Sequence, residues 1–181
     1  MKKFKSAKTS QVSITELMLP QHSNFGGKVH GGYILSLMDQ IAFACSSKHS
    51  QSYCVTASVN RVDFLNPIDV GELVTLKASV NYTGRTSMVV GVRVEAENIT
   101  TGEKRHCNSS YFTMVAKDKN GKNVPVPGLL ITNKVELRRF ARSVERKMAV
   151  RKRDTKYDNR KVEVNEYLEY IKNENVKLDL D

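Results

Sequence analysis

One stretch limits the fold more than any other: residues 33 to about 48, YILSLMDQIAFACSSK. Its apolar residues are Ile34, Leu35, Leu37, Met38, Ile41, Ala42, Phe43, Ala44 and Cys45. They recur at helical spacing and cover nearly the whole circumference, and a helix apolar on most sides has to be buried. Some 16 residues at about 1.5 Å each make a rod of roughly 24 Å. The rest of the chain must supply a wrapper of that length.

The wrapper is legible as alternating β segments. A short one, VSITELMLP (12–20), precedes the helix and ends at Pro20. Four longer ones follow it: 53–65, broken by Asn66-Pro67, then 73–83, 88–99 and 105–118. Turn signals separate them, GRTS at 84–87 and TTGE at 100–103, with KNGK at 119–122 after the last. VPVPGLL (124–130) ends the β region. Strands of about 10–13 residues are twice the usual length. One strand, one buried helix and four consecutive antiparallel strands predict an α+β fold, a long curved antiparallel sheet wrapped around one central helix.

The chain has 181 residues, which suits one domain with an appendage. We place a basic N-terminal tail at 1–11, the domain at 12–132 and a charged helical extension at 133–181. The net charge of +10 sits mostly on the two ends, while residues 11 to 133 are near neutral. We expect solvated ends and no nucleic-acid partner. In the extension Leu137, Phe140, Ala141, Val144 and Met148 fall at helical spacing among Arg and Lys, and 164–174 reads as a second amphipathic stretch. No apolar run is long enough for a membrane span, and no h-region follows MKKFKSAKTS. Cys45, Cys54 and Cys107 form no CxxC pair and match no zinc spacing. A cytoplasmic protein without a metal or other cofactor is expected.

Asp39 is the anomaly in the helix. Its neighbours at helical spacing are Leu35, Ser36, Ala42 and Phe43. A buried carboxylate costs several kcal/mol unless it is paired. Either Asp39 lies on a wet stripe with Ser36 and Gln40, or it faces a cleft as general base or nucleophile. Upstream, Gly31 and Gly32 open the helix, where backbone N–H groups are free and carry partial positive charge. Such an end can hold an oxyanion. Asn24 offers an amide in the preceding loop, and His22 and His30 lie close by as further acid–base candidates. The loop Gly84, Arg85, Thr86 and Ser87 presents a cation and two hydroxyls, which suits phosphate or an amide-rich chain, or is only a hairpin turn.

These segments, NFGGKVHGGYILSLMDQIAFAC, VTASVNRVDFLNPIDVGELVTLKASVNYTGRTSMVV and VEAENITTGEKRHCNSSYFTMVAKD, occur in an order that resembles the hotdog-fold acyl-CoA thioesterases. The similarity is to the cytosolic acyl-CoA hydrolase type and its bacterial homologues, and spans about 12 to 128. The resemblance implies a homodimer joined through sheet edges, a further assembly into a hexamer as a trimer of dimers, and active sites at the dimer interface. It implies a catalytic pair, Asn24 and Asp39, contributed by different protomers, with His30 in a variable, non-catalytic place. The thioester would be oriented by Asn24 and the N–H groups near Gly31 and Gly32. Pantetheine would run along the strand with Ser58, Val59 and Arg61 and the loop of Gly84 to Ser87, with Arg85 toward the phosphates of coenzyme A. Two other readings stay open: a hotdog hydratase or dehydratase using His22 or His30 with Asp39, and a non-catalytic acyl-CoA-binding regulator. Acyl chain length is not set by these residues.

Overall fold

A computed structural model of the protein describes residues 3–158 and 176. The amphipathic stretch expected at 164–174 lies outside the described residues. The chain divides into a unit of residues 1–144 and a second of 145–181.

The strands are β1 (Phe4–Ser6), β2 (Val12–Leu17), β3 (Tyr53–Val59), β4 (Asp63–Phe64), β5 (Leu73–Thr83), β6 (Ser87–Glu97), β7 (Lys104–Lys117) and β8 (Gly128–Leu130). The helices are α1 (Gly31–Ser50) and α2 (Lys134–Asp158). Five strands form the main antiparallel sheet in the order β2-β5-β6-β7-β3, with β4 beside β7. Alternate residues of β5 and β6 (Val74, Leu76, Ala78 and Val80; Met88, Val90, Val92, Val94 and Ala96) are buried on one face, as a two-residue side-chain period requires. Phe112, Met114 and Ala116 of β7 continue that face. Against it α1 sets Ile34, Leu37, Met38, Ile41, Ala42 and Cys45, all in one core cluster with the sheet. Three register shifts, at Thr56/Ser58, Val80/Tyr82 and Val94/Glu95, let the sheet bend.

Three features differ from the expectation. The segment 53–65 is two strands, because the chain leaves the ladder after Val59 and rejoins it only at Asp63. Its tether is Ser110 on β7, whose hydroxyl donates to the carbonyls of Asn60 and Arg61. The four strands are not a simple meander, since β3 pairs with the last of them, β7, and becomes an edge. The first eleven residues are not merely a tail: β1 pairs in parallel with β8, Ala7 and Ser10 are buried, and Lys5 Nζ donates to the carbonyl of His49. That last bond satisfies a carbonyl at the end of α1, which the helix itself leaves open.

At the other end of the first unit, Asn133 Oδ1 accepts the Glu136 N–H and so caps α2, and the Glu136 carboxylate accepts the backbone N–H of Thr132. Phe140 packs its ring on Tyr82 of β5 at 5.3 Å.

Candidate active site

The face of α1 turned away from the sheet is open. Gly32, Ser36, Asp39, Gln40 and Phe43 are exposed along it. Asp39 therefore lies on the stripe with Ser36 and Gln40, and that same stripe borders a cleft. The cleft, about 530 Å³, is lined by Asp39, Gln40 and Phe43 of α1 and by Tyr53 to Thr56 of β3. Phe43 and Tyr53 wall one side in an edge-to-face pair with centroids 5.7 Å apart.

Thr56 supplies what the sequence did not reveal. Its hydroxyl donates to Asp39 Oδ1 at 2.5 Å. In the sequence Thr56 is one residue of the alternating segment 53–65, with nothing to single it out. Its contact with Asp39 depends on β3 lying beside α1, which no local pattern announces. Asp39 has no ion-pair partner among the described residues. A bound hydroxyl fixes one carboxylate oxygen and leaves the other unclaimed by side chains among the described residues.

Asn24 is held in a tight turn. Its Oδ1 accepts the N–H groups of Gly26 at 2.8 Å and Lys28 at 3.2 Å. Its own N–H donates to the Lys28 carbonyl at 2.7 Å. Two donors on one atom identify that atom as oxygen, so the NH₂ end of the amide is the free one. Gly27 sits at φ +76°, a conformation that favours glycine. Asn24 does not line the cleft of its own chain.

At the start of α1 the expectation needs correcting. The Gly32 N–H is not free: it donates to His30 Nδ1 at 2.9 Å, so His30 is the cap of the helix. A Cβ on Gly32 would stand 2.8 Å from that ring. Gly31 has no such cap on its N–H, and the Phe64 ring covers its Cα, 3.1 Å from where a Cβ would be. The Gly31 N–H lies eight residues before Asp39, about 12 Å along the axis. His22 is also occupied: it stacks on Tyr33 at 4.1 Å and accepts the Leu19 N–H at Nδ1. Tyr33 in turn donates to Glu16, a bond that raises its hydroxyl pKa above the ordinary value.

The remaining candidates lie on the sheet. Ser58 and Val59 are exposed on β3 just after its bulge, and Arg61 follows, paired with Asp63 at 2.8 Å. The loop from Gly84 to Ser87 is pinned by its backbone: Gly84 N–H donates to Ser87 O, Ala116 N–H to Thr86 O, and Val126 N–H to Arg85 O. Arg85 is exposed and in no ion pair among the described residues. Register aligns Ser87 with Val115 and Val115 with Val55, so this loop and the cleft stand level across β7. Two strand spacings put them about 10 Å apart.

Among the described residues no three His, Cys, Asp or Glu side chains gather to hold a metal, and no helix is long and apolar enough to cross a membrane. Cys45, Cys54 and Cys107 are free and buried.

Comparisons with known proteins converge. The thioesterase superfamily model matches residues 26–103. The chain is 42% identical over 142 residues to protein VdlD of Helicobacter pylori, covering 78% of this chain and 81% of that protein. It is 37% identical over 139 residues to the uncharacterized acyl-CoA thioester hydrolase YkhA of Bacillus subtilis, covering 77% and 81%. A hexameric acyl-CoA thioesterase solved in its apo form superposes with a TM-score of 0.81 at 38% identity, over 83% of this chain and 97% of that one. An acyl-CoA hydrolase of Staphylococcus aureus, solved with butyryl coenzyme A and coenzyme A, does so with a TM-score of 0.79 at 29% identity, over 93% and 98%. Further structures are of S. aureus acyl-CoA hydrolase with an asparagine, an aspartate or a threonine replaced by alanine. Those three positions are separated by 15 and then 17 residues, as Asn24, Asp39 and Thr56 are here.

Proposed function

The chain belongs to the hotdog-fold acyl-CoA thioester hydrolases of the thioesterase superfamily, and from that premise we propose that Asp39 drives hydrolysis of an acyl-CoA in a site completed by Asn24 of a second copy. The observation that carries this reading is the Asp39–Thr56 hydrogen bond at the mouth of the cleft. It holds a carboxylate that has no ion-pair partner among the described residues, beside a space large enough for the reacting end of a thioester.

The steps are these. Asp39 takes a proton from water as the water oxygen adds to the thioester carbonyl carbon. The negative charge that develops on the carbonyl oxygen is met by the Asn24 amide NH₂ and the Gly31 N–H, both of the second copy. Collapse breaks the carbon–sulfur bond. The thiolate of coenzyme A takes up the proton and the carboxylic acid leaves. Asp39 adding directly to the carbonyl, with water then cleaving the anhydride, reaches the same products. Label found in Asp39 after a single turnover in ¹⁸O water establishes the nucleophilic route, with water cleaving the anhydride at the Asp39 carboxyl carbon.

The second copy is argued from the edge. β3 has a partner on one side only, and Tyr53 and Val59 are exposed along it. An unpaired edge with apolar side chains invites a like strand. Pairing there would bring a second chain against the stripe of α1 that carries Asp39. It would also let pantetheine pass along Ser58, Val59 and Arg61 toward the loop of Gly84 to Ser87, with Arg85 at the phosphates. We propose that three such dimers form a hexamer, the number of chains in the hexameric relative, in the cytoplasm, with no cofactor beyond the coenzyme A of the substrate. The hydratase reading loses support, because His22 and His30 are both engaged elsewhere.

The test is complementation. Asp39→Ala and Asn24→Ala variants should each assemble normally and release almost no thiol from acyl-CoA. Unfolded together and refolded as an equal mixture, they should regain about a quarter of the wild-type sites, one in each mixed dimer. Near-normal turnover by Asp39→Ala alone overturns the assignment of the base. No recovery in the mixture overturns the shared site.

A further inference from the structure

The loop that carries Asn24 is exposed and rich in glycine, yet the proposed reaction needs its amide fixed to a fraction of an ångström. The turn around Asn24 closes on Lys28, through three of its hydrogen bonds to the backbone of that residue and Gly26. Whatever holds Lys28 therefore holds Asn24. Lys28 forms an isolated antiparallel bridge with Asp69, and its Nζ makes a short ion pair with Asp69 Oδ1. The neighbouring Val29 N–H donates to the Ile68 carbonyl at 2.9 Å.

Asp69 is itself anchored deeper. Its N–H donates to Glu72 Oε2 at 2.9 Å, and its Oδ2 stands 3.5 Å from Arg105 Nη2. Glu72, almost fully buried, takes both arms of the Arg105 guanidinium at 2.6 and 2.7 Å. Arg105 also donates to the Pro67 carbonyl, and its backbone is fixed in β7 opposite Ala96. A continuous path of hydrogen bonds thus runs from the start of β7 through Arg105, Glu72, Asp69 and Lys28 to Asn24.

We propose that Lys28 and Asp69 are positioning residues for the hydrolysis, transmitting the rigidity of β7 to the Asn24 amide. The inference rests on the functional reading above. The pair is about half exposed on both sides, and an exposed pair contributes little to stability. Its value lies in where it places the loop, and a misplacement of about 1 Å can cost up to roughly 100-fold in rate.

The experiment measures steady-state hydrolysis of acyl-CoA by Lys28→Met and Asp69→Asn in the full-length protein. Each should lower kcat about tenfold or more with KM moved less than about threefold. Thermal unfolding and assembly should stay as in the wild type. Lys28→Arg should restore most of the rate, and the double variant should be no worse than the singles, since both break one link. Lys77→Met, which breaks an exposed pair with Glu95 elsewhere on the sheet, should change nothing. A rise in KM with kcat intact would make Lys28 a phosphate ligand and overturn the proposal, as would full activity in both single variants. Asp39→Asn, assayed alongside, tells the two failures apart. If it is inactive while Lys28→Met is normal, only the positioning role falls. If it is active, the functional reading falls first.

Discussion

Asp39 and Glu72 are two acids of the same unit, and the molecule treats them in opposite ways. Glu72 is buried, gripped by the fork of Arg105 and by the N–H of Asp69. Its charge is cancelled on the spot, as a buried carboxylate requires. Asp39 stands at an open cleft, receives one hydroxyl from Thr56 and has no cation near it among the described residues. One acid is saturated with partners and the other is kept short of them. A carboxylate that must accept a proton during turnover needs that unfilled capacity.

The contrast can be broken most forcefully at Asp39. Asp39→Asn is nearly isosteric and should lower kcat by about 10²–10⁴-fold, the range of a lost general base, while leaving the unfolding midpoint unmoved. Glu72→Ala should act first on stability, with any loss of rate coming only through the path to Asn24. It strands a buried guanidinium and should cost about 3 kcal/mol in denaturant unfolding, at the low end for a broken buried pair because Arg105 keeps a quarter of its side chain exposed. If Glu72→Ala proves as stable as the wild type, the structural half of the contrast is wrong.

Thr56→Val sharpens the comparison at smaller scale. It removes the one hydroxyl on Asp39 and keeps the shape, so kcat should fall about 10–100-fold, as for a hydrogen bond to a charged group worth about 1.5–3 kcal/mol. The gentlest probe is pH. His49, at the far end of α1, is buried with Nδ1 facing Ser10 and Nε2 facing Pro127 O, and burial lowers its pKa below 6.5, with Lys5 adding to the effect. The unfolded chain takes up a proton first, so stability is complete above about pH 6.5 and declines as pH falls toward the folded value. Unfolding curves of wild type and His49→Gln should converge in slope above that pH and diverge below it.

Much of this was open to a reader of the sequence, and the rest was closed for physical reasons. The apolar residues of α1 and the alternation of β5, β6 and β7 are local signals, and local signals survive in one dimension. Asp39 stood out because nothing in a helix calls for it. The break after Val59 and the place of β3 beside β7 depend on pairing across some sixty residues, which composition does not encode. Thr56 was invisible for the same reason. β1 has only three residues, too few for a period. His30 as a cap could not be read, because histidine is an uncommon cap and the geometry that makes Nδ1 an acceptor appears only once the turn is built.

The order of the strands also sets a schedule during synthesis. The neighbour of β3 is β7, and the chain must lengthen by about 60 residues between the start of one and the end of the other. At roughly 5–20 residues per second, that leaves α1 and β3 waiting about 3–12 seconds with a greasy helix and an unpaired strand beyond the ribosome. β1 waits longer still, since β8 is made after β7. The nascent chain therefore carries its stickiest segment first and the strand that closes the sheet over it nearly last, which makes the half-made protein, rather than the finished one, the form most in need of a chaperone.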